Sequence, residues 1–282
     1  MIIWIASYPK SGNTWVRSLL SAYLYTEDGN FDFNLLKKIK QFPNKQQLEF
    51  FLNDFSDIKK VSDYWIVAQD RINLIKDKVT FMKTHSALCT LENNSFTNKN
   101  NTKAAIYIVR DPRNLITSIS HHFSKNIEDS YKFISQKNQI LSGSEWGSDD
   151  FGIATIIGSW AEHYKSWLNM KFAPILIIRY EDLLNDTKST FVKIINFLSK
   201  LMKIEMNEKK VINTINSCSF NKLVEKEKKE GFFESVKSKK TNKKLKFFYL
   251  GKENNWKNLL DSDIEKKTRE IFINEMKELN YI

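Results

Sequence analysis

Three short polar segments carry the residues whose types and spacing could do chemistry. The first reads YPKSGNTW at positions 8–15, so that Lys10 precedes Gly12 by two residues. A glycine loop that leads into a helix aims backbone N–H groups and the helix N-terminus at an anion, and a lysine adds charge. The order differs from the Walker A pattern, in which the lysine follows the last glycine. The segment indicates a phosphate site, although any strand–turn–helix unit can contain lysine and glycine.

The second and third segments add a candidate base and candidate anion ligands. Lys83-Thr84-His85 follows one apolar run, and Arg110 follows another, with Ser118 about two helical turns later. A histidine can take a proton from a hydroxyl group near neutral pH. Arginine offers a planar fork to a phosphate and serine offers a hydroxyl donor. Taken singly, His85 is better explained as a structural or solvated residue, and Arg110 as the partner of a local carboxylate such as Asp111.

The elements that position these residues follow from the apolar runs. Residues 2–5, 79–84, 103–109 and 174–178 are predicted strands, and Pro9 ends the first of them because it fixes φ and has no N–H. Asn13 or Thr14 is the candidate N-cap of a helix that extends to about residue 26. A second helix is predicted for residues 114–124. Each strand therefore delivers its polar residues to the rim of an α/β sheet, where ligands bind.

The rest of the chain offers predicted helices and one loop, with few residues that indicate chemistry. We expect a long helix over residues 151–170, a helix capped by Thr187, and an exposed, lysine-rich flexible loop over residues 225–246. That loop either binds nucleic acid, closes over an anionic cofactor, or is simply solvated. His121 and His122 are interpreted as helix-end or surface residues, because adjacent positions do not make a metal pair.

Composition sets the broad class. The 282 residues, of which 41% are hydrophobic, fit one large domain or two small ones. The net charge of +11 indicates anionic partners or a lysine-rich solubilising surface. The two cysteines, Cys89 and Cys218, are isolated, which predicts neither a metal cluster nor a disulfide framework and favours a reducing compartment. No signal peptide or long apolar span is recognisable, so the expected location is cytoplasmic.

Taken together and in this order, the segments resemble the sulfotransferases that use 3′-phosphoadenosine 5′-phosphosulfate (PAPS), of the cytosolic and bacterial-like type, along nearly the whole chain. The resemblance implies one domain over residues 1–282, with an α/β fold in which helices flank a central parallel β-sheet, as in P-loop nucleotide kinases. It implies in-line transfer of a sulfuryl group from PAPS to a hydroxyl or amine of a small-molecule acceptor. No metal, no nucleic-acid partner and no membrane span are then expected.

The resemblance also implies roles for single residues. His85 is the expected general base, and Lys10 and Lys83 are the other catalytic residues. Arg110 and Ser118 are expected at the 3′-phosphate, and Tyr180, Trp15 and Phe220 at the adenine. The full expected set of cofactor-binding residues is Lys10, Ser11, Gly12, Asn13, Thr14, Trp15, Arg110, Ser118, Tyr180, Phe220 and Gly251.

Near its end the chain departs from the family pattern. Tyr249 stands where members carry the arginine of Arg-Lys-Gly, so that either Lys246 or Lys252 substitutes or cofactor affinity is reduced. Cys218 stands where many members carry threonine. The oligomeric state and the acceptor stay open. The alternatives are a P-loop-like nucleotide kinase, which Mg-dependent ATP turnover would support, and a basic nucleic-acid-binding module.

Overall fold

The structure is a computed structural model that describes residues 1–75, 77–141, 153–238 and 241–282. The strands of these residues are β1 (Ile2–Ser7), β2 (Lys40–Gln41), β3 (Thr80–Thr84), β4 (Thr90–Leu91), β5 (Asn94–Ser95), β6 (Thr102–Val109), β7 (Ile140–Leu141), β8 (Thr155–Ile156) and β9 (Ile175–Arg179). The helices of these residues are α1 (Asn13–Tyr25), α2 (Lys45–Leu48), α3 (Ile58–Asp63), α4 (Trp65–Ile72), α5 (Pro112–Phe123), α6 (Ile127–Ser135), α7 (Trp160–Leu168), α8 (Tyr180–Asn185), α9 (Thr187–Ser199), α10 (Glu208–Ser217), α11 (Phe220–Glu230), α12 (Trp256–Leu259), α13 (Ser262–Ile271) and α14 (Ile273–Glu278). Short 3₁₀ turns occupy Phe33–Lys38 and Gly251–Glu253.

A five-stranded sheet in the order β2-β3-β1-β6-β9 forms the centre of the fold, and its neighbouring strands are parallel. The first strand of the chain, β1, lies in the middle of the sheet. Ile5 of β1 is in register with Lys83 of β3 on one side and with Ile106 of β6 on the other. Because parallel strands end at one edge of a sheet, the segments after β1, β3 and β6 are neighbours there. The expected α/β fold with a central parallel sheet is confirmed.

Helices cover both faces of this sheet, which explains the continuous apolar sequence of β1. Ile2 and Trp4 belong to one buried cluster, which also contains side chains of α5 and α7. Ile3 and Ile5 belong to the other cluster, together with side chains of α1 and α9. The alternation follows from the period of two along a strand. The two clusters fix β1 between two packed layers, so that the loop after it starts from a rigid position.

Helix α5 begins earlier than predicted. Its N-cap is Asp111, whose carboxylate accepts a hydrogen bond from the backbone N–H of Arg113, and Pro112 occupies the first helical position. Proline suits that position because its missing N–H would have no partner within the helix. The cap gives α5 a fixed start directly after Arg110.

Two predictions about the middle of the chain are wrong in part. The expected helix over residues 151–170 begins only at Trp160, because Ser159 and Glu162 form a capping box there. Upstream of that cap, β8 pairs with β7 in an antiparallel ribbon, and residues 151 and 152 lie outside the described residues. The helix predicted after residue 187 is present as α9, but its N-cap is Asp186, whose side chain accepts from the N–H of Ser189, and not Thr187.

The lysine-rich segment is the largest departure from expectation. Helix α11 extends to Glu230, well into the predicted loop, and Phe232, Glu234 and Phe248 are buried. Apolar residues and Glu234 pack inward, whereas none of the lysines that the structure describes in this segment is buried. In the part of the chain that the structure describes, no helix is long and apolar enough to cross a membrane.

Candidate active site

A cavity lies at the carboxyl edge of the central sheet, between the loop after β1 and the segment after α11. It is lined by all but one of the residues that the sequence singled out: Lys10, Gly12, Asn13, Thr14, Trp15, Lys83, His85, Arg110, Ser118, Tyr180, Phe220 and Gly251. The exception, Ser11, is buried in the same loop. Residues from Lys10 to Gly251 therefore share one site, and the parallel strand order explains why those that follow β1, β3, β6 and β9 lie together.

The loop after β1 owes its shape to two residues with positive φ. Lys10 has φ of +67° and Gly12 has φ of +101°. Gly12 is the N-cap of α1, and a Cβ atom built there would lie 2.5 Å from Cδ2 of Tyr180. Glycine is therefore required by its backbone angle and by the close ring. The predicted caps are wrong: Asn13 instead donates to the carbonyl of Ile5, 2.9 Å away, which ties the loop to its strand.

The side chain of Lys10 crosses the cavity toward α5. Its Nζ lies 3.3 Å from Nδ1 of His122 and 4.1 Å from the centre of the Phe247 ring. Burial, together with the charge of Arg110, lowers the pKa of Lys10 to about 7. Burial and the charge of Lys10 likewise hold the pKa of His122 well below its usual value. His122 is therefore neutral beside the lysine, and its Nδ1 accepts from the ammonium group.

His85 has a defined tautomer. Its Nδ1 lies 2.8 Å from the carbonyl oxygen of Ser7, and a carbonyl oxygen only accepts, so Nδ1 carries the proton. In the neutral ring, Nε2 is then the basic nitrogen. Burial and the charge of Lys83 hold the pKa of His85 well below its usual value. A buried, neutral imidazole of fixed orientation is a suitable proton acceptor.

The backbone of His85 is itself held by a second buried histidine. Nε2 of His163 donates to the carbonyl oxygen of His85 over 3.0 Å, and the hydroxyl of Tyr107 donates to Nδ1 of His163 over 2.8 Å. Burial lowers the pKa of His163 to about 4, so this ring stays neutral. The pair fixes the segment after β3 without contributing charge.

Lys83 contacts a carboxylate that the sequence did not single out. Oε1 of Glu234 lies 3.6 Å from Nζ of Lys83 and 2.6 Å from Nη1 of Arg17. Its other oxygen accepts from the hydroxyl of Thr14 over 2.9 Å. Burial lowers the pKa of Lys83 to about 8, and Glu234 opposes that shift.

An aromatic group forms one end of the cavity. The rings of Trp15 and Tyr180 meet edge to face, with centroids 5.9 Å apart, and the indole N–H of Trp15 donates to the carbonyl of Cys218. A Cβ atom at Gly251 would lie 2.7 Å from the ring of Phe220, so glycine is required for this approach as well. Flat apolar surfaces of this kind suit a purine ring.

Arg110 lies beside this aromatic end. Its Nη1 donates to the carbonyl of Lys10 over 2.9 Å, and its guanidinium stacks 4.2 Å above the ring of Tyr180. The alternative partner considered from the sequence, Asp111, is instead bound by Arg113 over 2.7 Å. Arg110 is therefore available to an anion in the cavity, with Ser118 nearby on α5.

The position of the missing family arginine is also at the cavity. Tyr249 stacks on His121, with ring centroids 3.7 Å apart and the planes nearly parallel. Nε2 of His121 donates to the backbone carbonyl of Lys246 over 2.9 Å. His121 and His122 do lie in the last turn of α5, as expected, but both also line the cavity. Neither Lys246 nor Lys252 is among its lining residues.

The charges at the cavity suit an anionic ligand. Among the described residues, Nε of Arg110 is a buried donor at the cavity without a hydrogen-bond partner. Buried polar atoms are rarely left unpaired unless a ligand or water completes them. Donors, cations and an aromatic end thus match a phosphorylated nucleotide. Among the described residues no group of three or more His, Cys, Asp or Glu is placed to hold a metal.

Sequence reasoning missed Glu234 and His122 because neither stands in a recognisable motif. Glu234 is one of several acidic residues among lysines, and only its burial distinguishes it. The adjacent Phe232-Phe233 pair was the one usable signal, since apolar residues in a charged segment indicate packing. His122 follows Ser118 by four positions, so that both lie on one face of α5.

The chain resembles known proteins over most of its length. Its residues 2–280 match the model of the sulfotransferase domain. It is 28% identical to a 3-alpha-hydroxysteroid sulfotransferase of Cavia porcellus, over 71% of this chain and 59% of the relative. It is 27% identical to a luciferin sulfotransferase of Photinus pyralis, over 78% and 55%. The chain thus spans little more than half the length of these two relatives.

Solved structures agree with this assignment at the level of fold. A mouse sulfotransferase complexed with PAP superimposes with a TM-score of 0.60 and 21% identity, over 98% of this chain and 84% of that one. A retinol dehydratase in a complex with retinol and PAP gives 0.62 and 19%, over 98% and 81%. With the family model matched from residue 2 to residue 280, the chain belongs to the sulfotransferase domain family.

Proposed function

We propose that this protein transfers a sulfuryl group from PAPS to a hydroxyl or amine of a small-molecule acceptor. The observation that carries the proposal is the joint placement of Lys10, Lys83, His85 and Arg110 around one cavity with an aromatic end. When bound, PAPS supplies an activated sulfuryl group on a good leaving phosphate. The matched solved structures that contain PAP support this choice of nucleotide.

His85 acts as general base in this proposal. Nε2 takes the proton of the acceptor while the acceptor oxygen or nitrogen bonds to sulfur and the bond from sulfur to the phosphate oxygen breaks. Two features suit the ring to this step: the hydrogen bond to the Ser7 carbonyl fixes the tautomer, and His163 fixes the backbone. The neutral state of the ring leaves it ready to accept a proton.

The two lysines stabilise negative charge on the phosphosulfate group. Lys10 neutralises the charge that develops on the leaving phosphate, and Lys83 lies near the sulfuryl oxygens. Transfer of this kind passes through a loose transition state, so that positioning and neutralisation supply most of the acceleration. The N–H groups at the start of α1 and the residues Ser11 to Thr14 hold the same anion.

The nucleotide is held at the other end of the cavity. Arg110 and Ser118 bind the 3′-phosphate, while Trp15, Tyr180, Phe220 and Gly251 bind the adenine. Tyr249 cannot supply the positive charge of an arginine. We therefore expect the 3′-phosphate to depend more on Arg110 than a site with two arginines would.

The names of the relatives support one choice of acceptor class. Proteins named for hydroxysteroids, luciferin and flavonol are among them, the last a flavonol 3-sulfotransferase of Flaveria bidentis that is 25% identical over 94% of this chain. All three names denote hydrophobic compounds that carry a hydroxyl group. Phe123, Phe247 and Phe248 at the cavity are compatible with such a compound. A hydrophobic alcohol or phenol is therefore the first acceptor class to test.

The test is transfer of label from [³⁵S]PAPS to panels of steroids, phenols, flavonols and amines. We expect labelled product with at least one hydroxylated class, and its loss in His85→Ala. The rival functions have their own arms in the same experiment. Mg-dependent ATP turnover without label transfer would favour a nucleotide kinase, and tight oligonucleotide binding that weakens steeply with salt would favour a nucleic-acid-binding module.

A further inference from the structure

Glu234 is a buried acid at the centre of the cavity's positive charge. Its side chain is 6% exposed and ion-pairs with Arg17 and Lys83, whose side chains are 4% and 6% exposed. Arg17 has further partners, since its Nη2 donates to the carbonyls of Leu36 and Ile39. Arg17 is therefore itself held in place, and it fixes the position of the Glu234 carboxylate.

The other oxygen of the same carboxylate faces the anion loop. Oε2 accepts from the hydroxyl of Thr14, in the first turn of α1, over 2.9 Å. Glu234 thus joins three elements: the start of α1, the end of β3 through Lys83, and the segment that follows α11. The contacts of Glu234 with Thr14 and Arg17 join residues that are more than 200 positions apart in the sequence.

The charges around Lys83 determine how the contact with Glu234 affects its protonation. Glu234 is the carboxylate paired with it, whereas Arg17 on α1, Lys10 in the loop and His85 after β3 present cationic or titratable groups to the same region. Burial raises the pKa of Glu234, but Lys83 and Arg17 outweigh burial and hold that pKa well below its usual range. The acid is therefore ionised, and its charge favours the ammonium form of Lys83.

We propose that Glu234 is a positioning residue of the transfer reaction, which holds Lys83 in place and in its ammonium form at the cavity. The inference rests on the proposed function, in which Lys83 lies near the sulfuryl oxygens. Without the carboxylate, Lys83 loses the Glu234 charge that opposes the effect of burial on its pKa, while Arg17 and Lys10 still repel its ammonium form. It then loses its proton at a lower pH, and the cavity loses a charge that the transition state needs.

The experiment follows the titration of Lys83 directly. The chain is labelled with [ε-¹³C]lysine, and the Lys83 signal is assigned by its disappearance in Lys83→Arg. Titrations of the native chain and Glu234→Gln are compared, and the pH dependence of sulfuryl transfer is measured on the same variants. An opposite charge within about 4–6 Å shifts a pKa by about 1–3 units, so we expect the Lys83 pKa in Glu234→Gln to fall by about that amount. The alkaline limb of turnover moves with it.

Glu275→Gln is the matched control, because Glu275 is also a buried carboxylate paired with a lysine, Lys165, but does not line the cavity. Both variants lose stability, and only Glu234→Gln moves the Lys83 titration. If Glu234→Gln does not fold, Glu234→Asp serves, since its shorter side chain withdraws the charge and gives a smaller shift in the same direction.

Two outcomes separate this inference from the proposed function. An unchanged Lys83 titration in a folded Glu234 variant, or turnover whose alkaline limb stays in place, overturns the role of Glu234. A shifted Lys83 titration in a chain that transfers no label from PAPS refutes the proposed function and leaves the coupling of Glu234 to Lys83 supported.

Discussion

Replacement of His85 by alanine tests the proposed base most directly. The variant removes Nε2, the basic nitrogen, and also the donor to the Ser7 carbonyl. A general base contributes about 10²–10⁴ in rate. At about 1.36 kcal/mol for each factor of ten, turnover should lose about 2.7–5.4 kcal/mol of transition-state stabilisation. Nucleotide affinity should change little, because the anion loop and Arg110 remain.

The assay is single-turnover transfer from [³⁵S]PAPS, with binding of PAP by calorimetry alongside. The pH profile adds an independent check. Burial and Lys83 hold the pKa of His85 well below its usual value of about 6.5, and the neutral ring is the active form. Turnover of the native chain should therefore persist as the pH falls through 6.5 and decline only near the lowered pKa. A decline centred at pH 6.5 or above contradicts that environment.

Asparagine at position 85 is the matched control. Its side-chain amide can still donate toward the Ser7 carbonyl, but it supplies no base. Under the proposal His85→Asn loses as much turnover as His85→Ala, while recovering part of the thermal stability that the alanine variant loses. If His85→Asn instead turns over like the native chain, the hydrogen bond is what matters and the base assignment is refuted.

Three further perturbations address the nucleotide and the loop. Arg110→Ala should weaken the binding of PAP by about 10–100-fold and that of 5′-AMP much less, because a charge-assisted hydrogen bond is worth about 1.5–3 kcal/mol. Equal losses of affinity for the two nucleotides in calorimetry would exclude a 3′-phosphate contact. The pKa of Lys10 is lowered to about 7, and a bound anion raises it, so PAP binding at pH 8 should take up as much as one proton. Calorimetry in buffers of different ionisation enthalpy measures this uptake, which should be smaller in Lys10→Met. Gly12→Ala should lower both Tm and PAP affinity, because its Cβ would lie 2.5 Å from the Tyr180 ring. Gly231→Ala is the control, because Gly231 also has a positive φ of 75° but no atom lies within 4 Å of a Cβ built there. If it lowers PAP affinity as much as Gly12→Ala does, the contact with the Tyr180 ring is not the cause.

Much of the fold could be predicted because its strands are short apolar runs that end in polar turns. The strands around β1, β3, β6 and β9 were all placed within a few residues of their observed bounds. Helix limits were less predictable where a cap, rather than periodicity, decides them. Ile156 and Ile157 continue the apolar spacing upstream of Trp160, yet the capping box of Ser159 starts the helix there. That the chain is one domain and that it is cytoplasmic stay predictions.

The site divides in the same way. Residues on the strand ends could be named because each sits at a fixed distance from an apolar run. Glu234 could not, because its place depends on how the segment after α11 packs, and His122 could not, because its role depends on the direction in which the Lys10 side chain leaves its loop. Their chemistry is ordinary, a carboxylate beside cations and an imidazole beside a lysine. What distinguishes Glu234 is its burial, which a single sequence does not display for charged residues. What distinguishes His122 is its contact with Lys10.

The order of lysine and glycine in the first loop now has a structural reason. Lys10 adopts a left-handed backbone conformation, which costs about 1–3 kcal/mol for a residue with a side chain and persists only where surrounding contacts enforce it. Those contacts are present: Arg110 holds the Lys10 carbonyl, while His122 and Phe247 hold the ammonium group. The turn thus sends the lysine across the cavity instead of along α1. A lysine after the glycine would start from the helix, so under the proposed function this order places a cation on the far side of the anion from the helix N-terminus.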